Sequence, residues 1–149
     1  MKKLIGAAVL GLALGANAFA AADYGVAKDA EAMVLKAVKH FAAAGKDKAF
    51  ADFSTPAWVD RDVYIVVLDF SGKVVAHGTN AKLIGKDMMS AKDPDGVAFT
   101  AAMVEQAKTK GKGWTDYKFT DPATKKVLPK ASYCEKQAEF AICAGIYKR

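Results

Sequence analysis

The apolar positions of this chain change period along its length. From Tyr24 onward, Val26, Ala30, Met33, Val34, Ala37, Val38 and Phe41 recur at steps of three and four, one stripe of an α-helix that Gly45 closes. A shorter helix through Phe50 and Phe53 runs into Pro56, which pushes the residue before it out of helical geometry. The period then becomes two. Asp62 to Phe70 reads as a strand rich in Val, Ile and Tyr, and Ser71-Gly72 predicts a two-residue turn into a second strand from Lys73 to Gly78. Centring the loop there pairs Leu68 with Val75, Val66 with His77 and Tyr64 with Thr79. Tyr64, Val66, Val75 and His77 then share one face, and Val63, Ile65, Val67, Val74 and Ala76 share the other. Both faces are apolar, so both are expected to be covered.

Residues 79–113 supply the second cover: a turn-rich stretch around Leu83-Ile84-Gly85-Lys86-Asp87, then a helix expected to begin at Asp93-Pro94-Asp95-Gly96 and to end at Gly111-Lys112-Gly113. Three strands follow, Trp114 to Thr120, Val127 to Gln137 and Phe140 to Tyr147, the last two as a hairpin. Helix, two strands, helix, three strands is an α+β order, an antiparallel sheet interrupted by a crossover. Cys134 and Cys143 lie symmetrically about Ala138-Glu139, so an even-length hairpin loop centred there opposes them, at a spacing a disulfide spans.

The first residues alter the setting. Lys2-Lys3, the apolar run Leu4 to Leu14, and the small-x-small sequences Ala16-Asn17-Ala18 and Ala18-Phe19-Ala20 predict a secretory signal peptide over residues 1–20, cleaved near Phe19 or Ala21. The rival reading is an uncleaved anchor, because Leu4 to Ala22 carries no charge. Cleavage gives a single mature domain over 23–149 in the periplasm, a compartment that permits disulfides.

Composition narrows the function classes. The chain has 149 residues, enough for one domain, and its 52% hydrophobic content supports a core. Only Arg61 and Arg149 among 22 basic residues are Arg, the side chain that reads phosphates and base edges bidentately, so nucleic acid is disfavoured as a partner. Two His and two Cys without metal-ligand spacing offer no metal, haem or other cofactor motif.

The segments VYIVVLDFSGKVVAHGTNAKLIGKDM, KDPDGVAF, GKGWTDYKF, KKVLPKASY and AGIYKR, in that order, resemble the single Cache domain family, the extracellular ligand-sensing modules of bacterial chemoreceptors and histidine kinases. The resemblance spans about residues 25–149. It implies a PAS-like fold, a five-stranded antiparallel sheet behind a long N-terminal helix, with a pocket between the sheet and the 79–113 crossover. Its members often bind small organic acids. With no membrane helix or signalling domain after the last strand, the chain resembles a free-standing member, expected to bind a ligand and to act with a membrane receptor, kinase or transporter.

The resemblance places Tyr117, Lys130 and Tyr133 at the pocket, joining Tyr64 and His77 from the strand register. A Lys ammonium among Tyr hydroxyls suits a carboxylate. Lys130 and Tyr133 are three apart, on opposite faces of a regular strand, so both reach one pocket only through a bulge. Read without the family, Lys130 is an edge charge, the tyrosines are core, and His77 is equally a hydrogen-bonded core residue. Two other functions stay open: an interaction protein whose pocket is filled, and an enzyme, for which no G-x-S-x-G, H-E-x-x-H or Cys-His pairing is present.

Overall fold

A computed structural model describes residues 23–149, and the signal-peptide reading of residues 1–20 lies outside them. Helix α1 (Ala27–Ala44) presents Ala30, Val34 and Ala37 inward, the stripe expected from the sequence. Its end at Gly45 leads directly into α2 (Lys46–Phe53), and a short 3-10 turn at Pro56–Trp58 follows. The strands are β1 (Val59–Asp60), β2 (Val63–Asp69), β3 (Val74–His77), β4 (Lys112–Thr120), β5 (Val127–Gln137) and β6 (Phe140–Tyr147), with α3 (Phe99–Lys110) between β3 and β4. All pairings are antiparallel, in the order β1-β2-β6-β5-β4 with β3 also on β2. The fold is α+β, as expected, with the two-residue β1 added to the five strands foreseen.

Alternation along the strands divides the core in two. Val63, Ile65, Val67, Ala76, Ile142 and Ala144 point to α1 and α2. Leu68, Val74, Cys134 and Cys143 point the other way, to Phe99, Met103, Val104 and Ala107 of α3. The sheet is therefore covered on both sides, and residues 79–113 form the second cover.

Two local expectations are corrected. The β2–β3 connection is a three-residue loop closed by Asp69, whose amide donates to Lys73 O at 2.9 Å. Its carboxylate accepts from Ser71 N, Ser71 Oγ and Lys73 N, and Gly72 takes a left-handed φ of 88°. Leu68 thus opposes Val74, and a bulge restores the expected Val66 to His77 pairing. Val74, not Val75, joins the α3 side, and Val75 packs on the side covered by α1 and α2. Helix α3 starts at Phe99 rather than near Asp93 because Asp93 caps a closed turn: its carboxylate accepts from Asp95 N, Val97 N and, across to β4, Lys118 N.

The hairpin register opposes Cys134 to Cys143, and the two are bonded with Cα atoms 4.1 Å apart. No described helix is long and apolar enough to cross a membrane.

Candidate functional site

A cavity of about 50 Å³ lies between the α3 side of the sheet and the crossover. Tyr64, His77, Tyr117, Lys130 and Ser132 supply its polar floor, and Phe99, Thr100 and Met103 of α3, with Leu83 and Met88, close it from above. Its position follows from register. Tyr117 and Tyr147 are the direct cross-strand partners of Lys130 on β4 and β6, so the three side chains leave one face of three adjacent strands.

Lys130 is 3% exposed. Its ammonium donates to Tyr64 Oη at 2.7 Å and, more weakly, to Tyr147 Oη at 3.4 Å, and lies over the Tyr64 and Tyr147 rings at 4.3 and 4.7 Å. The hydrogen bonds have one consistent direction. Tyr147 donates to Thr120 O at 2.8 Å, which leaves its oxygen to accept from Tyr64, 3.2 Å away. Tyr64 in turn accepts from Lys130, whose three N–H groups therefore retain at least one free donor. Burial disfavours the Lys130 charge, but the Tyr117 and Tyr64 oxygens oppose it and the balance is upward, so the side chain is an ammonium at neutral pH. It forms no ion pair with any described carboxylate.

Tyr117 stacks on Phe99 at 4.8 Å, and its hydroxyl lies 2.9 Å from Ser132 Oγ. Whichever of the two donates, one hydroxyl proton remains over. Burial raises the Tyr117 and Tyr147 phenols, which stay neutral. His77 Nδ1 accepts from the amides of Asn80 and Thr79 at 3.0 and 3.3 Å, which assigns its proton to Nε2. Burial, then the Lys130 charge, lowers its pKa to about 4, so it is a neutral donor.

The turn after β4, beside the site, is tied to both ends of the described chain. Burial raises the Asp121 carboxyl, but hydrogen bonds from Arg149, Thr124 and Ala123 outweigh that and hold it at about 2. Arg149 bonds Asp121 and Asp62 at 3.1 Å each, and Asp62 accepts from Gly25 N at 2.7 Å. This network fixes the turn whose Thr120 carbonyl receives Tyr147.

Of the five residues singled out in the sequence, Tyr64, His77, Tyr117 and Lys130 meet at the cavity. Tyr133 does not. It lies on the opposite face among the α1-side core, its hydroxyl donating to Glu135 at 2.7 Å and its ring beside Trp114, because β5 runs regularly and no bulge turns it. Sequence reasoning missed Tyr147 and Ser132. Both follow from alternation: Ser132 is two residues from Lys130, and Tyr147 opposes Lys130 once the β5–β6 turn is centred on Ala138-Glu139.

Comparison with known proteins bears on the fold and the family. A methyl-accepting chemotaxis protein, McpP of Pseudomonas putida, is 31% identical over 90 residues, 59% of this chain and 16% of the relative, so the chain spans a small part of that receptor. A chemotaxis protein of Vibrio parahaemolyticus has the same fold, with a TM-score of 0.71 at 22% identity over 80% of this chain and 86% of the other. A Cache chemosensory domain described for its carboxylic acid recognition superposes with a TM-score of 0.65 at 24% identity, over 82% and 88%. The profile of the single Cache domain 2 matches residues 26–147, and the chain belongs to that family of sensory ligand-binding domains.

Proposed function

We propose that the cavity binds a small organic acid, with Lys130 as its charge partner, and that the domain is an exported sensing module that acts with a membrane partner. One observation carries this reading: a buried ammonium without a carboxylate faces a small space whose other polar groups are neutral. Burying a lone ion costs several kcal/mol, and a ligand carboxylate on the free N–H restores the missing partner with a charge-assisted bond. His77 Nε2–H and the spare Tyr117/Ser132 hydroxyl orient it, and the neutral phenols add no opposing charge. The volume favours an acid of few carbons, since a void of about 150 Å³ is what admits benzene. The carboxylic acid recognition of a domain with the same fold is in keeping with this assignment.

The test is a thermal-shift and calorimetry panel of small acids, amino acids and amines on the mature protein, with Lys130→Met beside it. A bound acid at about 100 times its Kd adds ~2.7 kcal/mol to stability. Lys130→Met is expected to weaken acid binding by roughly 10- to 100-fold. Unchanged acid affinity in that variant, or binding of neutral and cationic compounds alone, defeats the reading.

A further inference from the structure

The polar contacts of the site described so far all come from the sheet and the loop after β3. The roof is apolar except at one point. Thr100, the second residue of α3, is 2% exposed and lines the cavity between Phe99 and Met103. Its hydroxyl has no hydrogen-bond partner among the described residues. Threonines in helices ordinarily turn the hydroxyl back to the carbonyl four residues earlier, as Thr109 of the same helix does to Glu105 O at 2.8 Å. At Thr100 that position is Gly96, in the turn outside the helix, and the hydroxyl is left over. Among the described residues the side-chain atom fully buried without a partner is Gln106 Oε1; the Thr100 hydroxyl is instead open to the cavity it lines, a donor free for whatever occupies that space. The same end of α3 has a second unmet requirement. Its N-cap residue, Ala98, offers no side-chain acceptor, and the first turn carries no acidic residue.

Floor and roof line one small cavity, Lys130 from the sheet and Thr100 from α3, so a molecule held by Lys130 also faces α3. We infer that Thr100 is the roof's ligand contact, its hydroxyl donating to the carboxylate oxygen that Lys130 leaves free and so linking α3 to the sheet when the acid is bound. This rests on the acid-binding reading of the cavity. It adds a specificity-determining residue to that reading and a requirement that the ligand accept hydrogen bonds from both walls.

Thr100→Val keeps the shape and removes the hydroxyl; Thr100→Ser keeps the hydroxyl. With acetate, propionate and butyrate as probes, calorimetry on the mature protein is expected to show about tenfold or greater weakening for Thr100→Val and near-parental affinity for Thr100→Ser. Without acid, Thr100→Val is expected to melt at or above the parent's temperature, because no hydrogen bond within the described residues is lost and a methyl replaces a hydroxyl beside apolar neighbours. A purely structural threonine gives the reverse, a lower melting temperature and unchanged affinity, and that result overturns the proposal. So does equal weakening in both variants, which would assign the effect to shape. Lys130→Met separates the two readings: if it loses the acids while Thr100→Val binds as tightly as the parent, the roof contact falls and the acid site stands. If the parent binds none of the three acids, both fall.

Discussion

Gly145 lies beneath the Lys130 side chain, and its missing Cβ is what lets that chain cross β6 to reach Tyr64. A Cβ built at 145 overlaps Ser132 Oγ, comes within 2.6 Å of Lys130 Cε and meets the Ala131 carbonyl at 3.0 Å. Gly145→Ala therefore overpacks the floor of the cavity. It is expected to lose about 1–3 kcal/mol in urea unfolding and to weaken acid binding, because Lys130 has to leave its bond with Tyr64. Parental stability and affinity in this variant would show that Lys130 takes another route to its partners.

The disulfide serves the same two strands. Lys130 and Ser132 are carried by β5, Gly145 and Tyr147 by β6, and Cys134–Cys143 joins these strands on the cavity face. Both sulfurs belong to buried residues, and the closed loop is short. The double change Cys134→Ala/Cys143→Ala is expected to cost on the order of 2–3 kcal/mol. Mass spectrometry of unreduced protein is expected to show no free thiol; two free thiols would refute the pairing.

What the sequence disclosed, and what it hid, follows from how far each signal reaches. Strand alternation is local, and it was enough to put Tyr64, Val66 and His77 on one face and to oppose the cysteines. The Val75 bulge was hidden because it depends on Asp69, whose carboxylate gathers three donors and lengthens the loop by one residue. The start of α3 was hidden for a similar reason: Asp93 looks like a helix cap, but one of its oxygens is taken by Lys118 N, 25 positions away. Tyr133 shows the opposite lesson. Spacing alone set it across the strand from Lys130, and the family pattern suggested otherwise; the regular ladder of β5 follows the spacing. Thr100 left no sequence signal, since a threonine in a helix ordinarily satisfies its own hydroxyl.

The neutral state of His77 makes stability depend on pH. Its pKa is about 4 in the fold against an ordinary 6.5, through burial and then the Lys130 charge. Between those values the unfolded chain binds a proton that the native state refuses, so stability falls as the pH drops below about 6.5 and this contribution levels off below about 4. By pH 5 the loss is about 2 kcal/mol. Asp121, held at about 2, acts in a separate and more acidic window. His77→Asn, which keeps an acceptor for the Thr79 and Asn80 amides, is expected to flatten the pH 7 to pH 5 difference in urea unfolding without acid present. An equal difference in parent and variant would mean that His77 takes up its proton as readily folded as unfolded.

Lys130 also has a signature in the free protein. A residue kept for packing or structural pairing stabilises the fold, so its replacement lowers stability. A buried charge held only by neutral hydroxyls and rings, with no counter-ion until an acid arrives, adds no more than an apolar side chain of like volume. Lys130→Met conserves most of the buried volume, and Tyr64 and Tyr147 keep their own bonded order through Thr120. The variant without acid is therefore expected to be as stable as the parent or more so, by roughly 0–3 kcal/mol, while losing the stabilisation that acid gives the parent. Thermal melts with and without acid read both effects. A destabilised Lys130→Met whose acid response is intact would identify Lys130 as a structural member of the tyrosine network and remove it from the binding site.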